Sequence, residues 1–338
     1  DNLLCLATDS TTGCAAPGRE ATQYLYDARD RITQATISSG TSTYTYDVAS
    51  RLEKITHPNQ VVTYFGYHDQ DTSTSDITTR LSSLVHGEQL NPLAAMRYTY
   101  APGGQLIAEE RAIPGEPLEQ RVHTYDALDR LTQTETLRDG ASTRVLYGYT
   151  GYKRHTAKHY DEVLLTRDLE YTYDQAERLR QIIDHVDQSQ ERFEWDANGN
   201  LERWVSPVEE KIFAYNSLDQ LVQVTRGPPS AMEIVAEHGY DALGMRIVEK
   251  FGDQLITRGW VQGQAMQSWV QGDTPENMPQ RTHYALGQLL ARDTGSQTGY
   301  YHTDHQGSVL GLSDMQGGML GKQRFDVFGL PLAQPLAP

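Results

Sequence analysis

Apolar and polar positions along this chain alternate with a period of two, in short runs broken by Gly, Asp, Asn and Pro. Aromatic pairs mark the period: Tyr24/Tyr26, Tyr44/Tyr46, Tyr98/Tyr100, Tyr147/Tyr149 and Tyr171/Tyr173. Residues two apart share one face of a strand, so each pair sets two rings side by side on one side of a sheet. A 3.6-residue apolar period is held for three turns almost nowhere. The best helical candidate, Glu209 to Val224, contains an aromatic–turn unit at Tyr215 and reads as strand–turn–strand. The pattern predicts an all-β chain.

The second aromatic of each pair opens a repeated unit. YDARDRI begins at Tyr26, YDVASRL at Tyr46, YDALDRL at Tyr125 and YDQAERL at Tyr173. WDANGNL follows at Trp195, YNSLDQL at Tyr215 and YDALGMRI at Tyr240, with looser copies at Tyr67, Tyr100 and Tyr149. The anchors recur mostly every ~20 to 25 residues, the spacing of a repeat architecture. Asp27, Asp47, Asp126, Asp174, Asp196 and Asp241 each follow the anchor. An Asp at the first turn position bonds the backbone two residues on, and a later Asp or Gly accepts the left-handed conformation that closes the turn. Arg31, Arg51, Arg130 and Arg178 then begin the return strand. Each unit predicts a β-hairpin, and second turns such as Ser38-Ser39-Gly40 and Arg138-Asp139-Gly140 lead into the next.

Composition agrees with a turn-rich β chain. Among 338 residues there are 20 Tyr against 6 Phe, with 28 Gly and 14 Pro. Tyr has an apolar body and a polar tip, which suits a sheet wet on one side. The formal net charge of −16 repels phosphate backbones, so no nucleic-acid partner is expected. No apolar run approaches the length of a membrane helix, so no membrane insertion is expected, and the first residues do not read as a signal peptide. Cys5 and Cys14 either close a small loop or remain two thiols.

The YDxxxRL units resemble the YD repeats of the RHS family, which includes Rhs polymorphic toxins, the B and C components of Tc toxin complexes, WapA-like proteins and the teneurins. The stretch YYHTDHQGSVLGLSDMQGGMLGKQRFDVFGLPL, residues 300–332, is similar to that family's core segment. Tyr300, Tyr301, His302, Asp304, His305, Gly307, Ser308, Asp314, Gly317, Asp326, Phe328 and Gly329 carry the likeness, whereas Gln306 stands where Leu is common and Phe325 where Tyr is common. The resemblance implies a spiralling strip of antiparallel hairpins that forms part of a hollow shell. It divides the chain into an N-terminal lead-in (1–23), a YD-repeat array (24–250) and a core-like C-terminal segment (251–338). It also implies a bacterial protein that is secreted, injected or held at the cell surface, with neighbouring repeats or a toxin effector domain as partners. The self-cleaving aspartyl-protease segment of toxin members is not found after Gly329, so that activity is not carried over, and the chain reads as a truncated piece, a processed piece or a short stand-alone relative. About 22 strands at ~4.8 Å make a strip on the order of 100 Å long, and a single ring of that length is too narrow for a folded domain. A sector of a shell is therefore expected.

Candidate chemistry is sparse. His302, Asp304 and His305 form the tightest polar cluster, open to a metal or acid–base reading, but a hydrogen-bonded turn is the simpler expectation. The repeated Asp residues suggest calcium, yet each turn offers one or two carboxylates followed by Arg, which favours an Asp–Arg pair. P-loop, GxGxxG, HExxH and G-x-S-x-G patterns are absent. The expectation is a non-enzymatic structural segment with no cofactor. The alternative is an adhesion rod that binds a glycan or a cell-surface protein through the rings of Trp195, Trp204, Trp260 and Trp269.

Overall fold

In the computed structural model the described residues are 5–6, 22–68, 80–228, 230–261, 264–270, 280–294, 297–326 and 328–332. Cys14, the residues after His68 in the Tyr67 copy and the side chain of Trp269 lie outside them. The described residues form 28 β-strands and no helix. Because no helix forms among them, none is long and apolar enough to cross a membrane.

Strands follow one another as antiparallel neighbours. This holds from Thr22–Tyr26 to Asn91–Tyr100. It holds again from Glu119–Tyr125 to Gln254–Val261. A third series runs from Gln264–Val270 to Met319–Lys322. Short loops enforce this order, since two adjacent strands joined by a tight turn pair before any distant strand can reach them. Glu209 to Val224 is strand Glu210–Tyr215, a turn and strand Leu221–Gly227, as the sequence reading has it.

The chain divides into two compact units. Unit 1 comprises Asp1–Thr99, Glu109–Leu118 and Gly259–Pro338; unit 2 comprises Tyr100–Ala108 and Glu119–Arg258. In unit 1, Tyr24, Ala35, Ile37 and Tyr44 from the first strands share one buried cluster with Ala285, Leu290, Ala291 and Tyr300 from the last. In unit 2 a smaller cluster holds Ala157, Leu169 and Tyr171, flanked by Tyr147, Tyr173 and Leu179. The first Tyr is buried in four of the five pairs, Tyr24, Tyr44, Tyr98 and Tyr171, and Tyr147 is half-buried against the unit 2 cluster. The second is half-buried and serves the repeat junction.

A β-bulge accompanies the anchors from Tyr26 to Tyr67 and from Tyr125 to Tyr240. Tyr26 faces Ile32 while Leu25 faces Gln34, so Thr33 is the extra residue. The same shift leaves out Glu53 beside Tyr46, Thr132 beside Tyr125, Arg180 beside Tyr173 and Glu202 beside Trp195. It recurs at Tyr215 and Tyr240. A bulge bends its strand and raises the local twist.

Candidate functional site

Two constructions occupy the residues singled out in the sequence: a junction repeated between hairpins, and a seam that closes unit 1. The junction starts at the turn. Asp27 Oδ1 accepts the backbone N–H of Arg29 at 2.8 Å and of Arg31 at 3.1 Å. Its other oxygen takes the Arg31 guanidinium at 2.8 and 2.6 Å. Asp30 closes the turn with φ of 59°. The same arrangement holds Asp47 with Arg51, Asp126 with Arg130 and Asp174 with Arg178. The Arg31 hydrogen bond holds the Asp27 carboxyl at about 2, below the usual carboxylate range. Both oxygens of these carboxylates are thus occupied within their own hairpin.

Each guanidinium then lies over the anchor ring of the next repeat. Arg31 sits 4.3 Å from the Tyr46 ring, Arg51 4.3 Å from Tyr67, Arg130 4.9 Å from Tyr149 and Arg178 5.8 Å from Trp195. The anchor returns a hydrogen bond to the carbonyl where the preceding bulge begins. Tyr46 Oη donates to Ile32 O at 2.7 Å, Tyr67 to Leu52 O at 2.8 Å and Tyr125 to Leu106 O at 2.9 Å. Tyr173, Tyr215 and Tyr240 donate likewise, and Trp195 does so through Nε1 at 2.8 Å. Tyr26 packs against the unit 1 cluster.

Where Arg is missing, amides substitute. Asn200 Nδ2 donates to Asp196 Oδ2 at 2.9 Å, and Asn216 Nδ2 donates to Gln220 Oε1 at 2.7 Å. Asp241 keeps the backbone bonds to Leu243 and Met245. Two of the tryptophans are engaged in the same way: Trp204 Nε1 donates to Glu191 at 3.0 Å, and Lys211 Nζ stands 4.6 Å from its ring.

The core-segment residues build the seam. Asp304 is a turn residue that accepts the N–H groups of Gln306 and Ser308, both at 2.9 Å, and Gly307 closes this turn at φ 85°. Asp326 and Gly329, with φ 82°, repeat that turn near the C-terminus, where Phe328 is exposed. His302 does not join this turn. It is fully buried, with Nε2 2.8 Å from Ser313 Oγ. The His305 ring lies 4.5 Å from that of Tyr98, tilted by 57°, and Tyr301 lines a cavity of about 220 Å³ together with Tyr44, His57 and His86. The three residues read as one cluster therefore play different parts: His302 is a strand residue whose ring is buried in the seam, whereas Asp304 and His305 belong to the turn that follows strand Gln297–Thr303.

Their partners come from the other end of the chain. Tyr24 Oη donates to Tyr284 O at 2.6 Å, and Ser39 Oγ lies 2.9 Å from Tyr300 Oη. Asn59 Nδ2 donates to Ser313 Oγ at 2.9 Å and to Asp314 O at 2.6 Å. The His86 Nε2 bonds Thr303 O at 3.0 Å. A buried Thr22–His283–Asp293 chain runs through contacts of 2.9 and 2.9 Å, and Ser38 donates to Asp293 at 3.0 Å. Arg111 donates to Gln323 O at 2.6 Å and Lys322 to Pro114 O at 2.7 Å. Thr22, His57, Asn59, His86 and His283 carry no sequence signal for this role, since their partners lie over 200 residues away.

Burial holds these histidines neutral: His57 lies at about 3, His86 at about 4 and His302 well below the ordinary imidazole value. Among the described residues no three His, Cys, Asp or Glu side chains converge as ligands for a metal ion.

Comparison with known proteins agrees with this architecture. The RHS repeat profile matches residues 26–62, and the teneurin YD-shell profile matches residues 96–333. Toxin protein Tse5 of Pseudomonas aeruginosa is 26% identical over an alignment covering 67% of this chain and 19% of Tse5. The tRNA3(Ser)-specific nuclease WapA of Bacillus spizizenii is 22% identical, over 62% of this chain and 7% of WapA. The crystal structure of TcdB2-TccC3 without its hypervariable C-terminal region shares the fold at 14% identity, with a TM-score of 0.50, over 94% of this chain and 18% of that one. The chain spans about a fifth or less of the length of these relatives. With the repeat junctions and the YD-shell match covering most of its length, the chain belongs to the teneurin YD-shell family of RHS-repeat proteins.

Proposed function

We propose that this chain is a non-enzymatic sector of an RHS shell that sequesters or presents an effector domain of a longer bacterial toxin. Residues 24–250 supply the repeat array and 251–338 the closing segment, and the whole protein is secreted, injected or displayed at the cell surface. Its partners are neighbouring repeats and the effector.

The observation that carries this reading is the spending of polar side chains. The turn carboxylates, guanidiniums and anchor rings are committed to joining one hairpin to the next, which is what a stacked array needs. A glycan-binding rod needs free aromatic faces, but the Trp195 and Trp204 rings are overlaid by Arg178 and Lys211.

The test is limited proteolysis of the full-length gene product at pH 7.5. On this reading a folded domain following the RHS segment resists protease until the strip is cut, then is lost rapidly. A product with no further domain, or a following domain cleaved as fast with the strip intact as with it cut, overturns the reading.

A further inference from the structure

The unit 1 seam contains three imidazoles with no carboxylate in hydrogen-bond contact. The His302 ring lies 4.8 Å from that of His86 and 6.0 Å from that of His57, and His57 is 5.1 Å from the Tyr300 ring. Each ring has one hydroxyl neighbour: Ser313 at 2.8 Å from His302, Thr63 at 2.9 Å from His86 and Ser42 at 3.3 Å from His57. The Nδ1 of His302 is buried with no hydrogen-bond partner. His57 and His86 come from the first strands and their turns, and His302 from Gln297–Thr303 near the end.

The carboxylate of the cavity lining is Asp304, whose Oδ1 accepts the N–H groups of its own turn and which makes no hydrogen bond or ion pair to any of the three imidazoles, while the His305 ring lies 4.5 Å from that of Tyr98. The other titratable groups of the cavity and its rim are the phenols of Tyr44, Tyr67, Tyr300 and Tyr301, which burial keeps neutral. His283, in the same seam, is a contrast, because Asp293 stands 2.9 Å from its Nε2 as a ready counter-ion.

We propose that His57, His86 and His302 form an acid-sensitive latch: as neutral rings they hold the first strands of unit 1 against the last, and proton uptake below neutral pH opens the seam. A charged imidazole at any of the three sits against another ring of the cluster in a medium too apolar to screen it. Opening exposes the rings to water, where each takes a proton near its ordinary value of about 6.5.

The direction follows from linkage. The closed-state values are depressed, so the closed form has its full advantage above about pH 6.5 and loses it progressively as pH falls towards 4. Each histidine that charges on opening raises the opening constant by up to about tenfold per pH unit. The latch concerns unit 1 alone and does not depend on the identity of any effector.

Amide hydrogen exchange on the full chain from pH 7.5 to 5.0, corrected for intrinsic rates, tests it. Protection in Val62–Tyr67, Leu81–Glu88, Gln297–Thr303 and Val309–Ser313 should fall at least about tenfold per pH unit below 6.5. Strands Leu201–Val205, Glu210–Tyr215 and Leu221–Gly227 of unit 2, which carry no histidine, serve as the reference and should hold. The H302Q variant should lose about one proton from the slope. Seam protection that persists to pH 5.0, or that falls equally in both units, overturns the latch. Should H302Q not fold, imidazole Cε1–H titration of the unmodified protein decides: rings titrating near 6.5 while the seam stays protected overturn it. Proteolysis at pH 7.5 probes the shell reading with the latch closed, so the two ideas fail separately.

Discussion

The hydroxyl of Tyr46 donates a 2.7 Å hydrogen bond to the carbonyl of Ile32, fourteen residues upstream in the preceding hairpin. That carbonyl sits where Thr33 is bulged out of the ladder and the regular register is broken. The anchor hydroxyl thus supplies a partner to a backbone group at the point where the bulged strand needs one. The same ring receives Arg31 on its face, so one Tyr joins two hairpins by two different interactions.

Replacing Tyr46 with Phe separates those contributions. The ring and its guanidinium contact remain, and the lost hydrogen bond should cost about 0.5–1.5 kcal/mol. Urea unfolding of Y46F against the unmodified protein measures it. Tyr46→Ala, which removes the ring as well, should cost clearly more.

The Asp27–Arg31 pair makes a pH prediction. Asp27 is depressed to about 2 by Arg31, so its contribution is complete above the ordinary Asp value of about 3.9 and is lost as pH falls towards 2. Thermal midpoints measured between pH 5 and 2 should fall less steeply in Asp27→Asn than in the unmodified chain. At neutral pH the variant should be the less stable of the two.

Turn strain is removable. Ser50 holds a left-handed backbone at φ 67°, a conformation that costs a side-chain-bearing residue roughly 1–2 kcal/mol. The side chain accepts one exposed hydrogen bond from the Arg29 guanidinium in return. Ser50→Gly should raise the thermal midpoint, and Gly307→Ala, at φ 85°, should lower it.

Glu249 is a buried carboxylate, 2% exposed, placed 2.6 Å from Arg246 and 2.7 Å from Arg258. Glu249→Ala leaves both partly exposed guanidiniums without this partner and should cost about 1.5–3 kcal/mol in a denaturant titration. A loss under about 1 kcal/mol would mean that solvent or other acceptors replace the carboxylate there.

Much of the hairpin array was legible in the residues. Tyr at i−2 and i, Asp one later and Arg four beyond that Asp specify a strand, its turn and the return strand, because every partner lies within a few residues. The strip of antiparallel hairpins and the family likeness both came from that local signal. Some features were less visible. The bulges were not read, although the constant six residues from Tyr26 to Ile32 and from Tyr46 to Leu52 carry them. About 22 strands were expected where 28 form among the described residues, since the linking stretches between repeats also pair.

The sequence by itself therefore determined the hairpins, their order and the face each ring occupies, all of which rest on contacts within one or two turns. Tertiary structure alone decided the seam. That Asn59 meets Ser313, that Thr22 meets His283 and that three histidines share one buried space depend on packing between strands of unit 1 that lie over 200 residues apart. A local pattern fixes each hairpin and its bulge, but which distant strands touch is set by long-range packing that no short window of sequence encodes.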